Sequence, residues 1–151
     1  MNDLSETFRS IANAASGLSP IIFVLYKGSE PPPFAAPMPR IPPGPVEQVV
    51  DLWFTEVIRQ AYKDNPALHD GAIMVKKTSA GQLIVKGWSF RLFPPEAPTE
   101  STVNRGSAFN SCHAMSFISE VDCVFLLSNG ECFQFQNGRI NPMASVDPIG
   151  G

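Results

Sequence analysis

The chain has 151 residues, a net charge of −3, 44% hydrophobic and 17% charged residues, the composition of one globular domain large enough to bury a core. The acidic balance argues against duplex DNA or RNA as a partner but leaves room for a small anionic ligand held by local donors. The three cysteines, Cys112, Cys123 and Cys132, lack CxxC spacing, which argues against a disulfide framework or structural zinc and fits reduced thiols in a cytoplasmic protein.

The N-terminal residues are acidic and polar where a signal peptide needs an apolar core, and the longest apolar run, 21–26, is far short of a membrane span. A soluble protein without a membrane partner is expected. Leu4, Phe8, Ile11, Ala12 and Ala15 fall near helical spacing, which predicts a helix over residues 4–15, ended by Gly17. Residues 20–26 read as a strand covered on both faces, because they are continuously apolar. Residues 30–45 hold eight of the fifteen prolines, so neither helix nor central strand is expected there. That stretch reads as an extended loop laid across one domain rather than as a linker between two. The spacing of Val46, Val49, Val50, Trp53, Phe54, Val57, Ile58 and Ala61 predicts a helix over 46–62, with Trp53 and Phe54 packed in the core.

Asn65-Pro66 stops that helix, and His69-Asp70-Gly71-Ala72 then feeds a strand over 72–76. A hairpin connection at 78–82 leads to a second, antiparallel strand over 83–88. Residues 90–102 read as a proline-rich excursion carrying Arg91, Glu96 and Glu100. Small and polar residues dominate 104–119, where a short helix is expected. Strands follow over 121–127 and 132–136, joined by a turn at Ser128-Asn129-Gly130-Glu131. Asn137-Gly138 turns the chain into a last short strand from Arg139. The expected architecture is a single α/β domain with its core over 18–141, a mixed but mainly antiparallel sheet packed by helices, and the Asp70-Gly71 turn at its rim.

That turn is the strongest candidate site. Asp70 offers a carboxylate, Gly71 tolerates positive φ and close approach of a ligand, and Ala72 is small at the lip of a buried strand. Asp70, His69 and His113 have the residue types a metal ion takes, although a histidine at a turn also reads as plainly solvent-facing. Cys112-His113 does not read as a nucleophile with its base, since adjacent residues on a helix or strand point apart. No phosphate-loop, dinucleotide or serine-elbow motif is present.

The order of pieces resembles the diadenylate cyclase domain family (the N-terminal domain of DisA). The resemblance is carried by Leu68-His69-Asp70-Gly71-Ala72 before an apolar strand and by Ile118-Ser119-Glu120 before another, and it is strongest over 46–141. It implies that Asp70 binds Mg²⁺ or Mn²⁺ beside a triphosphate and that Gly71 and Ala72 line the nucleotide. It implies further ligand contacts from the small-residue stretch, at Gly106, Ser107, Asn110, Ser111 and His113, and from Ser128, Asn129 and Glu131 in the third motif. In the family, cyclisation takes place between two facing sites, so catalysis would need an oligomer.

The chain departs from the family where phosphate charge is neutralised. Read back from Ile118, the G-T-R-H-R positions fall on Phe109-Asn110-Ser111-Cys112-His113; a shifted reading places glycine and threonine at Gly106-Ser107 and still lacks the arginines. Each lost contact of this kind costs about 10²–10³ in rate. The expectation is therefore a catalytically degenerate nucleotide-binding or sensor domain that takes a nucleotide or cyclic dinucleotide. The alternatives are an active cyclase with Asp70 as its catalytic residue, and a protein-interaction module that has lost the ligand.

Overall fold

The computed structural model describes residues 4–95 and 106–143. Its centre is β1 (Ile21–Tyr26), hydrogen-bonded on one side to β3 (Ala72–Lys77) in parallel and on the other to β5 (Val121–Ser128) antiparallel. The continuous apolar run predicts such a place. Phe23 and Leu25 face one side of the sheet, Val24 and Tyr26 the other, and all four are buried. Around this centre β2 (Ala35–Pro37), β4 (Leu83–Leu92), β6 (Glu131–Gln136) and β7 (Arg139–Met143) complete a seven-stranded sheet of order β2-β4-β3-β1-β5-β6-β7. Every pair except β1–β3 is antiparallel.

Three helices cover the two faces. α1 (Leu4–Ala14) and α2 (Phe54–Asp64) lie on one, where Phe8 stacks on Phe125 at 4.0 Å and Phe54 meets Phe23 and Trp88. α3 (Ser107–Met115) lies on the other, with Phe109, Cys112 and Met115 packed over Val24, Met74 and Leu126. The mixed, mainly antiparallel α/β sheet packed by helices is thus as the apolar patterning predicts.

Residues 46–53 are a correction. They are not helical: 46–50 run alongside β4, 51–53 turn, and α2 begins only at Phe54. Main-chain bonds tie the segment to the edge of β4: Glu47 N–H to the Val85 carbonyl, Val85 N–H to that of Gln48, and Val50 N–H to that of Leu83. Pairing a strand edge satisfies amides that a further helical turn would have left to itself, and this overrides the 3.6-residue periodicity of the valines. Trp53 is consequently not a core residue: it is 78% exposed, whereas Phe54 is fully buried.

The proline-rich stretch is a strap along the same edge. It contributes β2, and further on Gly44 sits against the Trp88 ring while the Trp88 indole N–H donates to the Pro45 carbonyl at 2.7 Å. Beneath it β4 runs four residues past its expected end, to Leu92, so part of the predicted excursion is strand; Glu96 and Glu100 lie outside the described residues. Ala72 pairs with Phe90 but Met74 with Gly87, so β4 carries an extra residue, and the bulge leaves Ser89 buried at φ +60°.

Candidate functional site

The rim where β1 and β3 begin and β4 ends holds the Asp70 turn. A 3₁₀ turn over Pro66–His69 leads in, capped by Asn65, whose side-chain oxygen accepts from Ala67 N–H. Asn65 also donates through its side chain to the Pro42 carbonyl at 2.9 Å, which docks the strap beside the turn. Gly71 follows at φ +92°, and a Cβ there would lie 2.7 Å from the Phe90 carbonyl oxygen. Only glycine permits this conformation so close to the β4 backbone. The Ser89 hydroxyl, aimed by the bulge, donates to the Asp70 carbonyl. The Asp70 carboxylate is left 80% exposed, with Arg40 of the strap 3.7 Å away.

Asp70, Gly71 and Ala72 form one wall of an open cleft of about 350 Å³. Ile22, Met38, Phe90 and Leu92 give it apolar surface, Arg91 a guanidinium, and α3 closes it with Ser107, Ala108 and Ser111. α3 presents those three because residues i, i+1 and i+4 share a helix face, and its N-terminus opens beside the turn. Apolar surface with a few convergent donors is the usual make-up of a small-molecule site.

The remaining candidates lie elsewhere. Gly106 caps α3 at φ +93° and, with exposed Asn110, does not line the cleft. His113 is turned to the opposite side and buried, its Nε2–H donating to the Gly138 carbonyl at 2.9 Å and its ring packed near Phe117. Neighbouring Cys112 is fully enclosed, and burial pushes its thiol far above the usual range. Ser128, Asn129 and Glu131 form the β5–β6 hairpin turn, with Asn129 at φ +52°. Its amide donates to the Ser19 hydroxyl at 3.0 Å, and the turn stands at the same end of the sheet without lining the cleft. His69 is exposed, its ring against Tyr62. Among the described residues no three His, Cys, Asp or Glu side chains come together to hold a metal ion.

Sequence reasoning passed over Arg40 and Ser89. Arg40 was visible as the one cation in a proline-rich apolar stretch; Ser89 had no signal, since its role depends on a bulge.

No protein-family model matches the chain, and no curated protein matches it. Solved structures do, among them these two. One, described as a hypothetical membrane spanning protein from Bacillus cereus, superposes with a TM-score of 0.65 at 18% identity over 95% of this chain. This chain spans 64% of that protein's length. The other is a double mutant of DacA from Staphylococcus aureus, a diadenylate cyclase, with a TM-score of 0.61 at 14% identity over 94% of this chain and 87% of that one. At such identity the likeness speaks for the fold, which is diadenylate-cyclase-like. No helix among the described residues is long and apolar enough to cross a membrane.

Proposed function

We propose that this chain is a nucleotide-binding domain of diadenylate-cyclase-like fold that does not perform cyclisation. One observation carries the reading: the Asp70-Gly71-Ala72 turn and the start of α3 meet in a cleft whose polar groups suit binding more than phosphoryl transfer. The apolar lining from Ile22, Met38, Phe90 and Leu92 suits a base, and Arg91 with the Ser107 and Ser111 hydroxyls suits the polar end of a ligand. Phosphoryl transfer asks for dense positive charge around the developing phosphate charge. On the helix, the positions where the family pattern has charge are Ser111, Cys112 and His113; the second is enclosed in the core and the third is committed to Gly138.

Two measurements test this. Overnight incubation with ATP and Mn²⁺ followed by chromatography is expected to yield no cyclic di-AMP; product that vanishes on Asp70→Asn would overturn the degenerate reading in favour of an active cyclase. In thermal shift, a mononucleotide or cyclic dinucleotide at 100 times its dissociation constant is expected to add about 2.7 kcal/mol. No stabilisation by any of them would transfer the case to an interaction module. One observation favours that second reading: Leu52 and Trp53, on the approach to α2, are 57% and 78% exposed.

A further inference from the structure

Among the described residues, Asp70 is the only carboxylate lining the cleft. Mg²⁺ and Mn²⁺ demand about six oxygen ligands, and protein sites supply at least one or two carboxylates with the rest from water and phosphate. Here a cation of the chain itself stands beside the carboxylate, 3.7 Å from one of its oxygens. Arg40 Nε–H donates to the Ser89 hydroxyl at 2.9 Å and to the Ala67 carbonyl at 3.2 Å, and Nη1 donates to the Pro39 carbonyl at 3.0 Å. Nη2 lies 3.6 Å from the Met38 sulfur and 3.7 Å from Asp70 Oδ2.

Three separate segments therefore fix the guanidinium: the strap, the 3₁₀ turn and the β4 bulge. Ser89 serves both partners, accepting from Arg40 and donating to the Asp70 carbonyl. The Arg40 side chain is only 19% exposed, so water screens it less than an open surface charge. A fixed positive charge at this distance opposes entry of a dication at the same carboxylate. A single carboxylate with a fixed cation beside it is a poor donor set for the metal that the resemblance implies.

We infer that Arg40 is a built-in counter-ion for Asp70 and that the cleft takes its ligand without a divalent cation. The inference rests on the cleft being a nucleotide site, but its first test needs no nucleotide. Mn²⁺ alone is titrated into the whole chain and bound metal is followed by electron paramagnetic resonance. The wild-type protein is expected to show no saturable site up to millimolar Mn²⁺. Arg40→Gln is expected to gain about tenfold or more in Mn²⁺ affinity. The gain should disappear in Arg40→Gln combined with Asp70→Asn, and Arg40→Lys, which keeps the charge, should behave as wild type. A saturable wild-type site that Asp70→Asn abolishes would overturn the inference, even if Arg40→Gln fails to fold; so would a folded Arg40→Gln that gains nothing.

The second test compares ATP binding to the wild type in EDTA and in Mg²⁺. Equal affinity is expected. Tightening by Mg²⁺ that Asp70→Asn removes would overturn the metal-free site while leaving nucleotide binding intact. Absence of ATP binding under both conditions would overturn the nucleotide reading instead, and the Mn²⁺ titration would still decide the role of Arg40.

Discussion

Replacing Gly71 with alanine tests how the turn is held. The residue sits at φ +92°, where an L side chain costs about 1–2 kcal/mol. An added Cβ also meets the Phe90 carbonyl oxygen at 2.7 Å, the Ser89 carbonyl carbon at 2.8 Å and the Met38 methyl at 2.9 Å. Met38 can swing away, but the β4 backbone is locked in the sheet, and overpacking of that kind costs a further 1–3 kcal/mol or so. Gly71→Ala should thus lose about 2–5 kcal/mol in urea unfolding, on the order of 10 °C in melting temperature for a chain of this size. Gly81→Ala is the internal control. It has nearly the same φ, +88°, with nothing within 4 Å of the added atom, so only the conformational cost of about 1–2 kcal/mol applies. If the two variants lose equal stability, the close approach of β4 to the turn is not what demands glycine, and the proposed geometry of the rim is wrong.

Two further outcomes follow from buried groups. Burial raises the thiol of Cys123 to about 11 and that of Cys132 to about 12, both from 9.0, and the Tyr62 hydroxyl from 10.0 to about 12. These groups ionise in the unfolded chain before the folded one, so their contribution is complete well below the unfolded thiol value of 9.0 and is lost as pH rises through it toward the folded values. Urea midpoints should therefore fall between about pH 8 and pH 10.5; a flat or rising profile would contradict the burial of these groups. Ser116→Ala removes a buried hydroxyl that donates to the His113 carbonyl at 2.6 Å and accepts from Gly138 N–H at 3.1 Å. Orphaning the amide should cost about 1–3 kcal/mol by denaturant unfolding, and a loss within error of zero would mean that α3 is not pinned to the β6–β7 turn through this serine.

Continuous or alternating apolar runs made β1, β3, β5 and β6 legible, because a strand buried on one or both faces writes its burial into its composition. Residues 46–53 misled because valines spaced for a helix also suit an edge, and the choice was made by unpaired backbone groups on β4, about 35 positions further along the chain, which nothing in the local sequence announces. At the site, Asp70-Gly71 declared itself through turn chemistry, and the start of α3 through its small residues. The helical twist then separated Ser111, on the cleft, from Asn110 and His113, which its 100° step turns elsewhere. Arg40 and Ser89 are brought to Asp70 by the strap and the bulge, long-range features that no spacing encodes.

The central claim, that the cleft between the Asp70 turn and α3 binds a nucleotide, is tested most directly by isothermal titration of ATP and of cyclic di-AMP into the wild type and single variants. Ser107→Ala and Ser111→Ala should each weaken binding by about 0.5–1.5 kcal/mol, and Arg91→Ala by about 1.5–3 kcal/mol if it meets a charged group. Asn110→Ala and Ser128→Ala, off the cleft, should leave affinity unchanged. Binding that is lost with Asn110 or Ser128 but indifferent to Arg91 and Ser111, or no binding at all, would contradict the account.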